Sequence, residues 1–267
     1  MIEEAAQGDG GTSAAAVVTG AGRGIGRGIA VALAEAGFDV VVGWSSDEAA
    51  AKATVEAVHG AGARAVAVRG DVTDPATAAC LVDAALTTFG DLTAWVNNAG
   101  VSVLARVEST APADLERMFA VNVLGSLHGI QAAVPVLRGR GGGRIVNVAS
   151  DLGVQGAPYL GAYAATKFAL VGLTQTAALE LAADDITVNA VCPGTAYTDM
   201  VAAEWATQSR LTGAPVDDVR REYLEAIPVG RFCAPEDVGA AVAFLAGPSS
   251  GFITGQSICV NGGTVLR

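Results

Sequence analysis

The chain has 267 residues, 51% of them apolar and only 16% charged, with a formal net charge of −11. That profile describes a single α/β-sized unit with a large core rather than a disordered chain. The acidity excludes the usual nucleic-acid binder, whose phosphates demand a basic face, and disfavours an anionic membrane surface.

The first residues, Met1-Ile2-Glu3-Glu4, lack the basic start of a secretory signal, and no uninterrupted apolar run approaches about 18 residues. The expectation is a cytoplasmic protein without a membrane span. Residues 1–13 are acidic and glycine-rich without periodicity and read as a mobile tail. A single domain is expected over residues 14–267.

Within it, short β-branched runs alternate with longer helical patterns. Strands are predicted over residues 14–19, 38–43, 63–69, 92–97, 144–149, 186–191 and 257–260. Helices are predicted over residues 25–36, 47–61, 75–89, 113–137, 162–182 and 235–246. The strands are continuous apolar runs, as in a parallel sheet buried on both faces. Their regular alternation with helices implies α/β architecture, a doubly wound seven-stranded parallel sheet with helices on both faces. The 34 glycines reflect either close helix-to-sheet packing or a biased codon usage. Cys80, Cys192, Cys233 and Cys259 are scattered without a CxxC pair and read as structural thiols. His59 and His128 are isolated, so no metal site is expected.

Ligands on such a sheet bind outside the carboxyl ends of the strands. The first of these loops holds Gly20, Gly22, Arg23, Gly24, Ile25 and Gly26. Its glycines allow backbone N–H groups to approach a pyrophosphate at the following helix start. At the end of the second strand stands Trp44, where an acid would grip an adenosine ribose diol. Ser45 and Ser46 can donate to a 2′-phosphate, and Arg23 can add positive charge. The plainer alternative leaves Arg23 in solvent and the serines capping the next helix. The reading is NADP(H) favoured over NAD(H).

The strongest chemical signal lies mid-chain. Tyr163 and Lys167, four apart on a predicted helix, share one face. An adjacent ammonium would bring a tyrosine pKa down from about 10 toward the working range. Ser150 ends the fifth strand, where its hydroxyl can reach a carbonyl oxygen. Asn122 sits inside a predicted helix, where an amide has little structural reason to be. By themselves, a chance i,i+4 pair, a turn cap and a helix-interface amide would account for these residues.

Together with Asn97-Asn98-Ala99-Gly100, Asp71, Pro193-Gly194 and Val260-Asn261-Gly262-Gly263, these motifs resemble the short-chain dehydrogenase/reductase family over residues 14–263, in its β-ketoacyl-reductase-like or carbonyl-reductase-like subgroup. The resemblance implies a single-domain Rossmann fold. It also implies an NADP(H)-dependent enzyme moving a hydride between nicotinamide and a ketone, aldehyde or alcohol. Tyr163 would be general acid and base, Lys167 would bond the nicotinamide ribose, Ser150 would polarise the carbonyl, and Asn122 would hold a water leading from Lys167. Asp71 and Val72 would meet adenine, although Asp71 also suits a turn. Asn98, Ala99 and Gly100 would support the adenosine-side ribose, and Pro193, Gly194, Thr195 and Thr198 would lie along the nicotinamide and phosphates. Residues 197–227 would form a substrate lid, with Met200 and Trp205 either walling the pocket or packing on the body. Leu152, Gln155 and Tyr159 would complete that pocket.

Relatives that reduce 3-oxoacyl chains on acyl carrier protein present basic residues where this chain has His128 and Asp184. A small free carbonyl substrate is therefore the first reading, and 3-oxoacyl-[acyl-carrier-protein] reductase the second. A non-catalytic redox sensor is a third. The apolar helices over residues 113–137 and 162–182 imply a homotetramer or a dimer.

Overall fold

The computed structural model describes residues 14–266, so the expected tail over residues 1–13 lies outside the described residues. Seven strands form one sheet: β1 (Ala15–Val18), β2 (Asp39–Trp44), β3 (Ala65–Arg69), β4 (Ala94–Asn97), β5 (Gly143–Val148), β6 (Ile186–Pro193) and β7 (Ser257–Val260). All neighbours are parallel, in the order β3-β2-β1-β4-β5-β6-β7. The chain order reverses between β1 and β4, which opens a crevice at their carboxyl ends.

Nine helices accompany the strands among the described residues: α1 (Gly24–Glu35), α2 (Glu48–Gly60), α3 (Pro75–Phe89), α4 (Pro112–Phe119), α5 (Gly125–Gly139), α6 (Gly161–Leu181), α7 (Asp199–Thr212), α8 (Val216–Glu225) and α9 (Pro235–Ala246). Successive strand residues feed opposite cores, as the pleat requires. Ala16, Val18, Val40 and Val42 pack with Ile29, Leu33, Val58, Val238 and Val242 of α1, α2 and α9. Ala15, Val17 and Val41 pack on the other face with Leu81, Ile130, Leu137, Ala177 and Leu181 of α3, α5 and α6. The predicted elements all form, with ends displaced by at most two residues, except for the helix over residues 113–137. A π-helical turn, Ala120–Leu124, interrupts it between α4 and α5.

The resulting rod, Pro112–Gly139, is long and apolar enough to cross a membrane by length and composition. Here it packs beside α3, α6, β4 and β5 as part of the layered core. Polar groups inside the sheet are matched. Trp95 Nε1 donates to Asn97 Oδ1 at 2.7 Å, Asn97 Nδ2 to Asn147 Oδ1 at 2.8 Å, and Asn147 Nδ2 to Thr174 Oγ1 at 2.9 Å. This chain of bonds links β4, β5 and α6 without leaving a buried amide unpaired.

The glycines of α1 and α9 are explained by close approach. A Cβ on Gly28 would lie 2.6 Å from Pro235 backbone and side-chain atoms, and one on Gly239 would lie 2.6 Å from Gly28 O. Gly28→Ala should therefore destabilise the fold by about 1–3 kcal/mol, the usual range for overpacking. Urea unfolding measures it, and an unchanged midpoint would show that the two helices can part without loss.

Candidate active site

The crevice between the β1 and β4 loops is a cleft of about 590 Å³. It runs from Trp44, Ser45, Asp71 and Val72 past the glycine loop to Tyr163 and Lys167. Helices α2 and α3 are capped by Asp47 and Asp74, each accepting a backbone N–H at 2.9 Å. Helix α1 differs, because its N-cap, Arg23, provides no side-chain bond and its first turn holds no acidic residue. Its N–H groups and positive dipole end are left for an anion in the cleft. Gly20 sits at φ +62, and a Cβ there would lie 2.9 Å from Ala99 Cα, so this close left-handed turn requires glycine. Thr19 Oγ1 accepts from Asn98 N and Ala99 N, while Asn98 Nδ2 donates back to Thr19 O and Gly20 O. These bonds lock the two loops into one wall. A long groove with a donor-rich, uncapped helix start in its middle fits a dinucleotide.

At the other end, α6 carries Tyr163 and Lys167 one turn apart, with Lys167 Nζ 5.5 Å from the Tyr163 ring centre. Lys167 Nζ donates to Val148 O at 2.9 Å, fastening α6 to the end of β5. Ser150 Oγ accepts from Leu152 N and donates to Asp151 Oδ1, both at 3.1 Å. The Asn122 amide bonds Val101 N and O and Thr166 Oγ1. Burial raises the Tyr163 pKa, Glu204 adds to that rise, and a hydrogen bond from Ser150 opposes it. The expected lowering by Lys167 is thus not seen, because desolvation of the phenolate dominates. Burial also pushes the Lys167 amine down from its ordinary 10.5 to about 8.

The cleft wall includes all the glycine-loop candidates, Gly20, Gly22, Arg23, Gly24, Ile25 and Gly26, together with Trp44, Ser45, Ser46, Asp71, Val72, Asn98, Ala99, Gly100, Thr198 and Met200. Asp71 is also a turn residue, accepting from Thr73 N and Oγ1. Asp47, not Ser45 or Ser46, caps α2, which removes the capping alternative for the serines. Pro193, Gly194 and Thr195 are not among the residues lining this cleft. Pro193 ends β6, Gly194 packs on Asn261, and Thr195 lines a separate groove together with residues of β7. Of the pocket candidates, Leu152, Gln155 and Tyr159 are partly buried near Ser150, and the Tyr159 ring lies under the Arg106 guanidinium at 5.5 Å. Trp205 is 3% exposed and packs among Tyr197, Tyr223 and Phe232, so it packs on its surroundings rather than walling a pocket. The segment expected to form a lid comprises α7 and α8.

Two arginines at or beside the cleft were not visible in the sequence as site residues. Arg69 ends β3 in register with Trp44. Its guanidinium stacks on the indole at 5.6 Å, and its Nε donates to Ser45 O at 3.2 Å. Only the β2–β3 register brings them together. Arg23, by contrast, faces Asp199 of α7 at 3.8 Å. Arg117 of α4 also lines the cleft.

A family model described as enoyl-(acyl carrier protein) reductase matches residues 20–265. The chain is 41% identical to L-2,3-butanediol dehydrogenase of Corynebacterium glutamicum, covering 96% of this chain and 100% of that one. It is 39% identical to a diacetyl reductase [(S)-acetoin forming] of Staphylococcus epidermidis, again over 96% of this chain and 100% of the other. To a 3-oxoacyl-[acyl-carrier-protein] reductase of Staphylococcus aureus it is 37% identical, over 94% and 98%. Among solved structures, a levodione reductase superposes with a TM-score of 0.88 at 29% identity, covering 93% of this chain and 96% of that one.

The buried Lys167 sets a conflict between chemistry and stability. Unfolded, its amine binds a proton up to about pH 10.5, and folded only up to about 8. Between those values the unfolded state holds more protons, so stability rises with pH, and below 8 the full burial cost applies. Lys167→Met should therefore be inactive yet more stable below pH 8, by about 1–3 kcal/mol once the lost bond to Val148 O is counted. The gain should vanish near pH 10.5. Chemical denaturation across pH 6–11 measures this, and a variant less stable than wild type at pH 7 overturns it.

Proposed function

We propose that this chain, which belongs to the short-chain dehydrogenase/reductase family, uses NADP(H) to reduce a small free ketone or aldehyde, or to run the reverse, with Tyr163 as proton donor and acceptor. It is an oxidoreductase of CH–OH and C=O groups that binds a nicotinamide cofactor. The reading is carried by one arrangement: Tyr163 and Lys167 a turn apart at the end of the cleft, beside Ser150 and backed by Asn122. When bound, the nicotinamide supplies the hydride in reduction and accepts it in oxidation. Tyr163 Oη gives its proton to the carbonyl oxygen in reduction and takes it back in oxidation. Ser150, donating to the same oxygen, stabilises the charge that develops there. Lys167 keeps two of its three donors after bonding Val148 O. These are available for the ribose, and the charged form favours the phenolate.

The preference for NADP(H) is supported by the Trp44–Arg69 stack and the adjacent Ser45 and Ser46 at the adenosine end. Asp47, the acid nearest in sequence, is spent on capping α2. A small free substrate is supported by the butanediol- and diacetyl-active relatives. Asp184, at a carrier-docking position, is itself paired with Arg138. The 3-oxoacyl-carrier reading rests on the 37% relative, and a panel of free and carrier-bound ketones separates the two.

Assembly into a tetramer or dimer is supported by two exposed apolar sets. Leu124, Phe168 and Leu179 lie along the π turn and α6, and Phe252, Ile258 and Leu266 lie around β7. Light scattering at micromolar concentration should report two or four chains, and a monomer overturns it.

Two kinetic outcomes are expected. Tyr163→Phe should remove nearly all turnover while leaving NADPH affinity within a few-fold, since only the transferable proton is lost; a sizeable residual rate overturns the assignment. Wild type should prefer NADPH by at least about tenfold. Arg69→Gln should weaken NADPH by about tenfold or more, the scale of a charge-assisted bond, with NADH little changed. Trp44→Asp should reverse the preference. Fluorescence titration with both nicotinamides decides it, and a wild-type preference for NADH overturns the cofactor reading.

A further inference from the structure

Two of the four cysteines meet in the sheet. Cys192 of β6 and Cys259 of β7 are register partners in the parallel ladder, so their side chains leave the same face. On that face Cys192 forms a small cluster with Ala149, Leu170 and Ala190, and Cys259 packs against it. Both are thiols in the structure. Neighbouring strands run about 4.7–4.9 Å apart, inside the range of about 4.4–6.8 Å between Cα atoms that a disulfide spans. Cys80 of α3 and Cys233, just ahead of α9, lie outside the seven strands and face no cysteine across a ladder.

The two thiols differ in reach. Cys192 is wholly buried, and burial pushes its thiol up to about 12, so it stays protonated and closed to solvent. Cys259 stands on the edge strand, is partly exposed and lines a groove of about 820 Å³, wide enough for a small oxidant. Ile258, of the exposed apolar set around β7, points to the opposite face of that strand.

The pair also adjoins the reacting end. Val191 lies opposite Val148 in the β5–β6 ladder, and Ala149 N donates to Val191 O at 2.8 Å. Cys192 therefore follows beside the stretch of chain that leads to Ser150. Val148 O is the acceptor that fastens Lys167, and Leu170 lies one turn beyond Lys167 on α6. A sulfur drawn out of this cluster toward β7 loosens the packing beneath both residues.

We propose that Cys192 and Cys259 form a redox modification site: a hydroperoxide closes a disulfide across β6 and β7, which slows turnover until a thiol reductant reopens it. In the first step the Cys259 sulfur takes one peroxide oxygen. The O–O bond breaks, the other oxygen leaves with the thiol proton as water or an alcohol, and a sulfenic acid remains. In the second step the Cys192 sulfur displaces the sulfenic hydroxyl. The S–S bond forms, the S–O bond breaks, and the hydroxyl departs as water with the Cys192 proton. The two sulfurs lose two electrons between them, and the peroxide gains both. Placement at the facing ladder position offsets the small thiolate fraction of Cys192. A bridge between adjacent strands is held closer than the usual Cα separation of about 5.5–6 Å, and strain of that kind makes a disulfide easy to reduce.

The test treats wild type, Cys259→Ala, Cys192→Ala and Cys80→Ala with hydrogen peroxide. Non-reducing peptide mass spectrometry should find the Cys192 and Cys259 peptides linked in wild type and Cys80→Ala, and unlinked in the other two. Diacetyl reduction with NADPH should fall about tenfold in oxidised wild type, the scale of a small misplacement of reacting groups, and return with dithiothreitol. Cys259→Ala should start at the wild-type rate and keep it after peroxide. Should that variant fail to fold, Cys192→Ala gives the same reading. Absence of the linked peptides, a linked protein that turns over at the full rate, or a loss that both cysteine variants share overturns the proposal. A wild type that reduces only carrier-bound ketones overturns the small-substrate reading alone, because the same oxidation series runs on that substrate.

Discussion

The side chain of Asn122 is the joint on which the site depends. It is wholly buried in the π-helical turn. Its Oδ1 accepts from Val101 N at 2.8 Å, and its Nδ2 donates to Val101 O at 3.0 Å and Thr166 Oγ1 at 2.9 Å. Thr166 in turn donates to Tyr163 O at 2.7 Å. One amide therefore fixes the loop after β4, the rod under it and the helix that carries Tyr163 and Lys167. A regular α-helical turn spends its backbone groups internally, whereas a π turn re-aims side chains at the expense of regular bonding. The fold holds this irregularity because removing any partner would strand a buried amide.

A second constraint is electrostatic. A chain with a net charge of −11 must still hold an anionic dinucleotide. The cleft offers it local devices rather than a basic surface. Helix α1 starts without a cap and without an acid in its first turn, whereas α2 and α3 spend aspartates on their own N-termini. Arg69 is steered to the cleft's edge by stacking on Trp44. Placement of a few donors and dipoles outweighs overall charge because such interactions fall off within about a Debye length.

The reacting end also works against the stability of the fold. Tyr163 and Lys167 are both pushed toward their neutral forms by burial. Asp151 and Glu204 are shifted the same way. Near neutrality the shifts of Lys167, Asp151 and Glu204 cost folding free energy, whereas Tyr163 is neutral folded or unfolded and adds none; the two apolar cores on either side of the sheet offset that cost. Perturbed titratable groups of this kind gather at functional sites, where stability is commonly given up for chemistry.

The sequence by itself determined the strand rhythm, the parallel sheet, the glycine loop and the shared face of Tyr163 and Lys167 on α6, because each rests on local periodicity or i,i+4 spacing. Apolar runs specify buried strands whatever surrounds them, and Tyr163 and Lys167 share a face on any helix. Tertiary structure alone decided what depends on register and packing between distant segments. Arg69 meets Trp44 only through the pairing of β2 with β3, and Thr195 lines a separate groove together with residues of β7. The sign of the Tyr163 shift followed the same rule. The sequence shows a neighbouring lysine, but burial is a property of the assembled pocket, and desolvation outweighed the nearby charge. Glu204 of α7 comes within electrostatic range of Tyr163 only once the chain has folded.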